Sequence, residues 1–377
     1  MLMDIWSDFN KSSSQEWEEK VLFDFKDKII EDFYWKTEYG KINPFLIDNE
    51  SIVDEKSQNF NEIRWKFNNE NKLNSQILNR LNDGINSINI NKINFNHSIF
   101  DNVMCSIIQN HVILNSKTDS FEIEQWNNWG KKEIQGSIRM DPLENILENF
   151  SPSKLNDQFR SYENFNNIIK NKALKCLFVN GEIYLKYFID FSTEIAFLAA
   201  HFNEIIEYHK TNNIDIPEKV MIQTFLGNSF LESISKIKAI RCIINQIIKT
   251  HGLKMYIFIE TSPNPEILKH KEFDFRLIAI SSTVLSSLLG GANSFEMSDS
   301  LLETDEEYWK KIMINIPLIL TEESKVKHEM SKGAYMIEQI SKKMAHTSWE
   351  IFKEIENKNG LIKLVNNKKH ANYFKSK

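Results

Sequence analysis

Seven short apolar runs recur along the middle of the chain: INSINI (85–90), HVILN (111–115), IQGSIR (134–139), KCLFVN (175–180), KVMIQTF (219–225), MYIFIET (255–261) and SFEMS (294–298). Helix-patterned stretches separate them, most clearly at 229–249, where Leu231, Ile234, Ile240, Ile244 and Ile247 share one stripe. Short strands able to be buried on both faces, alternating with helices, specify a mainly parallel sheet covered by helices. No Pro- or Ser-rich linker breaks the alternation, so the pattern predicts one α/β domain, a (β/α)8 barrel of the TIM type. A weaker eighth strand is expected inside KGAYMIEQI (332–340).

The barrel is assigned to 81–360, with an N-terminal arm and barrel approach at 1–80 and a tail at 361–377. In the arm, Ser13 and Glu16 form a capping-box pattern, followed by Trp17, Val21, Leu22 and Phe25 at helical spacing. YWKTEYGKINPFL (34–46) reads as an extended segment punctuated by Gly40 and Pro44. The arm's aromatics, Trp6, Trp17, Phe23, Phe25, Phe33, Tyr34 and Trp35, are of the type that anchors interfaces or covers a barrel end.

Charge narrows the partners. With 46 basic against 52 acidic residues and a formal charge of -6, the chain has no basic field to hold nucleic acid or an anionic membrane. MLMDIWSDFNKSSSQEW lacks the basic start of a secretory signal. The apolar run 277–292 falls short of the ~20 residues that span a bilayer, and reads as a buried helix. Cys105, Cys176 and Cys242 are an odd, widely spaced set without C-x-x-C pairing, read as buried reduced thiols in a cytoplasmic protein.

Paired glycines can cradle phosphate, but Gly290 and Gly291 follow a helix and precede a strand. That order predicts a helix-ending corner on the stability face of the barrel, with Gly290 in the left-handed region. His201 and His209 lie eight apart on one helix, a spacing that suits structural roles. Glu306-Glu307 and Glu322-Glu323 read as solvated helix charge, and Asp141 and Glu260 are the carboxylates placed at strand ends.

Several segments together resemble the methylmalonyl-CoA mutase family, in order from about residue 15 to 360, and its small subunit more than its catalytic one. YWKTEYGKINPF resembles the W-x-T-x-x-G-i-x-x-P-(F/Y) approach to the barrel through Trp35, Thr37, Gly40, Pro44 and Phe45. GSIRMDPL (136–143) is similar to a small-subunit strand ending in Asp-Pro-Leu. TEIAFLAAHFNEIIEYH (193–209) resembles the q-E-L-A-f-x-L-A helix, and GNSFLESISKIKAIR (227–241) resembles n-x-F-x-E-I-A-K-x-R-A-x-R through Phe230, Glu232, Ile234, Lys236, Ala239 and Arg241. LLGGANSF is similar to L-G-G-A-d-S-i, IPLILTEES (316–324) to N-x-x-x-i-L-x-E-E-S, and 334–360 to the S-Y-Y-I-E tail helix.

The departures decide what the resemblance implies. Where the catalytic barrel has S-G-Y-H, this chain has Asn180, Gly181, Glu182 and Ile183, so isoleucine stands at the acid/base histidine position. Tyr187 and Phe188 replace a small A-G pair. EIRWKFNNENKLN (62–74) offers no R-Q-Y-x-G-F, the I-Q-N-D-I-L-K-E loop keeps only Gln135 of its polar trio, and the arginine before the T-T-T-E-A helix is Ala279. Each loss removes a group that would hold or polarise a CoA thioester. No D-x-H-x-x-G cobalt motif occurs, and with 17 residues after Gly360 no flavodoxin-like cobalamin carrier is expected.

The resemblance therefore implies a non-catalytic small subunit that stabilises a catalytic large subunit in a heterodimeric, adenosylcobalamin-dependent mutase interconverting methylmalonyl-CoA and succinyl-CoA. The cofactor is expected on that partner, and no catalytic, cofactor-binding or metal-ligating residue on this chain. The alternatives are a catalytic barrel whose cobalamin domain is a separate chain, and an unrelated barrel hydrolase using Asp141 and Glu260.

Overall fold

All seven predicted runs form strands of one sheet in the computed structural model, which describes residues 13–43, 60, 62–67, 72–91, 102–108, 111–117, 135–149, 155–169, 172–187, 190–270, 272–298, 307–367 and 373. A hairpin of β1 (Trp35–Thr37) and β2 (Gly40–Ile42) comes first. The sheet comprises β3 (Glu62–Phe67), β4 (Ser87–Asn91), β5 (Ile113–Lys117), β6 (Gly136–Arg139), β7 (Leu177–Val179), β8 (Lys219–Leu226), β9 (Tyr256–Pro263) and β10 (Ser294–Ser298). Their pairings are parallel, in the order β6-β5-β4-β3-β10-β9-β8-β7. A parallel bridge from Ile138 to Lys175 links the two outer strands, and the sheet curls into the expected eight-stranded barrel.

The eighth strand is β3, not part of 332–340. Gly333 adopts a φ of 76°, and Tyr335 opens the long helix Tyr335–Asn357. EIRWKF escapes a search for strands apolar on both faces because Glu62, Arg64 and Lys66 alternate with Ile63, Trp65 and Phe67. The first barrel strand thus lies inside the 1–80 range assigned to the arm.

Outside the strands, the helices Phe191–Thr211 and Phe230–Thr250 pack side by side, and Tyr335–Asn357 lies across both. Phe273–Gly290, which contains most of the apolar run, packs on Phe230–Thr250. The arm helix Ser14–Asp24 starts with the predicted capping box: Glu16 N donates to Ser13 Oγ at 3.1 Å and Ser13 N to Glu16 Oε2 at 2.7 Å. None of that helix's residues is buried, whereas Ile42 of the hairpin is.

The glycine pair is a corner at the N-terminal end of β10, as expected, but the left-handed residue is Gly291 and not Gly290. Gly291 is the left-handed cap, at φ 81° and ψ 34°. Gly290 closes the helix, where a Cβ would stand 2.7 Å from Ile237 Cδ1 and 3.1 Å from Ile234 O. Glycine is needed there for close helix contact, not for backbone freedom. Arg241 pins the corner, donating to Gly291 O at 2.7 Å, Ile257 O at 2.9 Å and Asn293 Oδ1 at 3.2 Å.

Candidate functional site

In a barrel, chemistry is built at the C-terminal ends of the strands, above an axis filled by side chains. Here charged side chains of the barrel itself meet on the axis. Glu260 of β9 pairs with Arg64 of β3 and accepts from Arg139 Nη1 of β6 at 3.1 Å. No two of these strands are neighbours, so the groups meet across the interior. Glu62 also pairs with Arg64, and Ser87 Oγ donates to Glu62 at 2.9 Å while accepting from Arg64 Nε and from Asn115 Nδ2, each at 3.1 Å. Ser137 donates to Asn115 and accepts from Arg139 Nε at 3.3 Å. Cys176, Phe178, Met221 and Phe258 form an apolar cluster beside the network, with Arg139 over the Phe178 ring and Arg64 over Phe258.

Burial and pairing set the charge states. Burial pushes the Glu62 carboxyl up, but Arg64 outweighs it and holds the group below the usual range. Burial pulls the Arg139 guanidinium down to about 9, with Arg64 beside it acting in the same direction. Nearer the mouth, burial opposes the charge on Lys66, but Glu296 and Glu182 overcome it and raise its pKa. Lys66 Nζ reaches Glu182 Oε2 at 3.3 Å, and Asn89 Nδ2 donates to Glu296 Oε2 at 2.5 Å. These acids are matched by cations or amides, so none is poised as an open general base.

Asp141 is equally engaged. It accepts from Leu143 N, Asn180 N and His201 Nε2, each at 2.9 Å, and His201 Nδ1 lies 3.0 Å from the Tyr184 hydroxyl. An imidazole donating to Asp141 from Nε2 accepts from Tyr184 at Nδ1, which ties the ends of β6 and β7 to the 191–211 helix. His209 likewise uses both nitrogens, with Tyr162 Oη at 2.9 Å and Asp215 O at 3.0 Å. Neither ring is free to ligate cobalt, so these histidines do not fit a cobalamin site.

Ile183, which the resemblance sets against a catalytic histidine, is buried in the turn Gly181–Lys186 above β7. Gly181 is required there, because a Cβ would stand 2.0 Å from Gln223 O. Tyr187 donates to Glu148 O at 2.8 Å, Ala279 is buried in the 273–290 helix, and Gln135 is exposed just before β6. Trp6, Pro44, Phe45, Phe188 and Glu306 lie outside the described residues. Glu307, Glu322 and Glu323 are exposed, as expected. Cys176 is buried and its thiol pushed up, and Cys242 is half-buried, but Cys105 is exposed, against the expectation of three buried thiols.

The residues behind the resemblance have structural partners. Lys236, fully buried, donates to Glu194 Oε1 at 2.7 Å and Phe225 O at 2.8 Å, and Thr224 Oγ1 donates to the same Glu194 oxygen at 3.1 Å. Lys238 joins Glu338 at 2.7 Å, and Tyr39 joins Glu232 at 2.6 Å. The axial network went unread in the sequence. Its signal was the alternation of Glu62, Arg64 and Lys66 inside one apolar run.

Fold and axis together define a (β/α)8 barrel whose interior is filled by its own ion pairs. The methylmalonyl-CoA mutase profile matches residues 84–372, and the chain belongs to that family. No curated protein matches the sequence. Among solved structures, a dihydropteroate synthase from Coxiella burnetii in complex with pteroic acid is similar at 10% identity and a TM-score of 0.36, covering 71% of this chain and 94% of that one. That likeness is too loose to inform function.

Proposed function

We propose that this chain is the non-catalytic small subunit of a heterodimeric, adenosylcobalamin-dependent methylmalonyl-CoA mutase, and that it stabilises the catalytic large subunit. One observation supports the reading most: the charged groups of the barrel interior, Arg64, Arg139 and Glu260, are engaged with one another and none is left open to act on a ligand. Ile183 adds to it, since a buried alkyl side chain cannot transfer a proton. The cobalamin belongs on the partner, because no D-x-H-x-x-G motif occurs here and the buried His201 and His209 have both ring nitrogens engaged.

The arm supports a partner-facing role. Trp17, Phe23, Phe25 and Ile29 are exposed on or beside a helix that buries none of its residues. Exposed aromatics of this kind anchor subunit interfaces. Deleting residues 1–33, which spares the hairpin, is expected to leave a folded barrel by circular dichroism and to abolish co-purification with the large subunit. Loss of folding would show that the arm belongs to the core. Retained capture would place the interface on the barrel helices. Isomerase activity with added adenosylcobalamin and no partner would favour the catalytic alternative.

A further inference from the structure

The hairpin before the barrel leans on the N-terminal end of the 230–250 helix and leaves a cleft of about 500 Å³ between them. Its walls include three half-buried aromatic side chains, Trp35, Tyr39 and Phe191, and two carboxylates, Glu38 and Glu232. Phe191 is fixed from the interior by the buried Lys236 ammonium, 4.8 Å from its ring centroid. The Tyr39 hydroxyl donates to Glu232 Oε1 at 2.6 Å, so one carboxylate oxygen is held in place. The other, Oε2, has no hydrogen bond among the described residues. Lys36 also lines the cleft and is exposed, so its ammonium is free to stay in solvent at the rim.

Aromatic faces carry negative quadrupole potential and attract cations, and a planar guanidinium can stack on such a face while bonding a carboxylate at its edge. We propose that this cleft binds a guanidinium group, stacked on the aromatic walls and bonded through its N–H edge to Glu232 Oε2. The site stands apart from the barrel axis and does not depend on the mutase reading. An arginine side chain of another protein and a free small guanidine share this chemistry.

Isothermal titration of the intact chain with methylguanidinium tests the proposal, with methylurea as a neutral control of nearly the same shape. Saturable binding of the cation and none of methylurea is expected, with affinity falling as salt rises. Glu232→Gln should weaken binding at least tenfold. Should that variant fail to fold by circular dichroism, Trp35→Leu removes a stacking wall without changing charge and should give a similar loss. Acetyl-arginine-N-methylamide separates the sources: tighter binding than methylguanidinium assigns the cleft to a protein side chain, and weaker binding to a free small cation. Absence of saturable heat with either cation, or equal affinity in the folded variants and the parent chain, overturns the proposal.

Discussion

Along the barrel axis, Arg64, Arg139 and Glu260 join three strands that are not neighbours, whereas two buried lysines outside the strands each have one carboxylate partner, Lys236 with Glu194 and Lys238 with Glu338. The pairs sit between layers of elements and could be lost one at a time. The axial groups share partners, so removing one carboxylate leaves two guanidinium groups in the interior with less compensation. Charge on the axis therefore acts as common packing for the whole barrel, and charge in the shell as local fastening. This division explains how a mutase-family barrel can keep its architecture while its interior is occupied.

The largest effect should come from the centre of that network. Glu260→Ala is expected to lower the unfolding free energy by about 3–5 kcal/mol, as when one partner of a buried ion pair is removed. Glu182→Ala, which removes the exposed partner of Lys66 at the mouth, should cost less than about 1 kcal/mol. Urea denaturation of both variants checks the contrast, and equal losses would erase the distinction between interior and rim.

In the shell, packing should outweigh charge. Gly290→Val forces a side chain into the space held by Ile237 and should cost about 1–3 kcal/mol by overpacking. An unchanged melting temperature would contradict the close approach of the 230–250 and 273–290 helices.

A smaller, pH-dependent effect is expected where the 191–211 and 335–357 helices meet. The half-buried Glu356 carboxyl is pushed up to about 7, first by burial and then by the neighbouring Glu204. Between the ordinary carboxylate value and pH 7, the folded chain holds a proton that the unfolded chain has released. Stability therefore falls as pH rises through that window and levels off above it. Solvent screening at a half-exposed site limits the change to about 1 kcal/mol. Glu356→Gln should flatten this part of the pH profile, and an unaltered slope would exclude Glu356 as its source.

Much of the fold was legible because period and punctuation are local properties. The seven runs announced their strands by β-branched and aromatic content, and Ser13 with Glu16 announced the first helix. β3 was missed for a physical reason: its inward residues, Glu62, Arg64 and Lys66, are charged, and only the closed barrel supplies their partners Glu260, Ser87 and Glu182. The same reason hid the axial network, since pairs such as Arg139 with Glu260 lie 121 residues apart in sequence. At the glycine corner, chain order gave the right face but could not tell Gly291, which needs the left-handed backbone, from Gly290, which needs the absence of a Cβ.

The central proposal is that the ion pairs filling the barrel interior leave no place there for an acyl-CoA. Equilibrium titration of the purified full chain with methylmalonyl-CoA tests it most directly. The account predicts no saturable binding at millimolar ligand, with the chain shown to be folded by its cooperative thermal transition. Saturable binding that is lost in Arg139→Met would place substrate on the axis and contradict it.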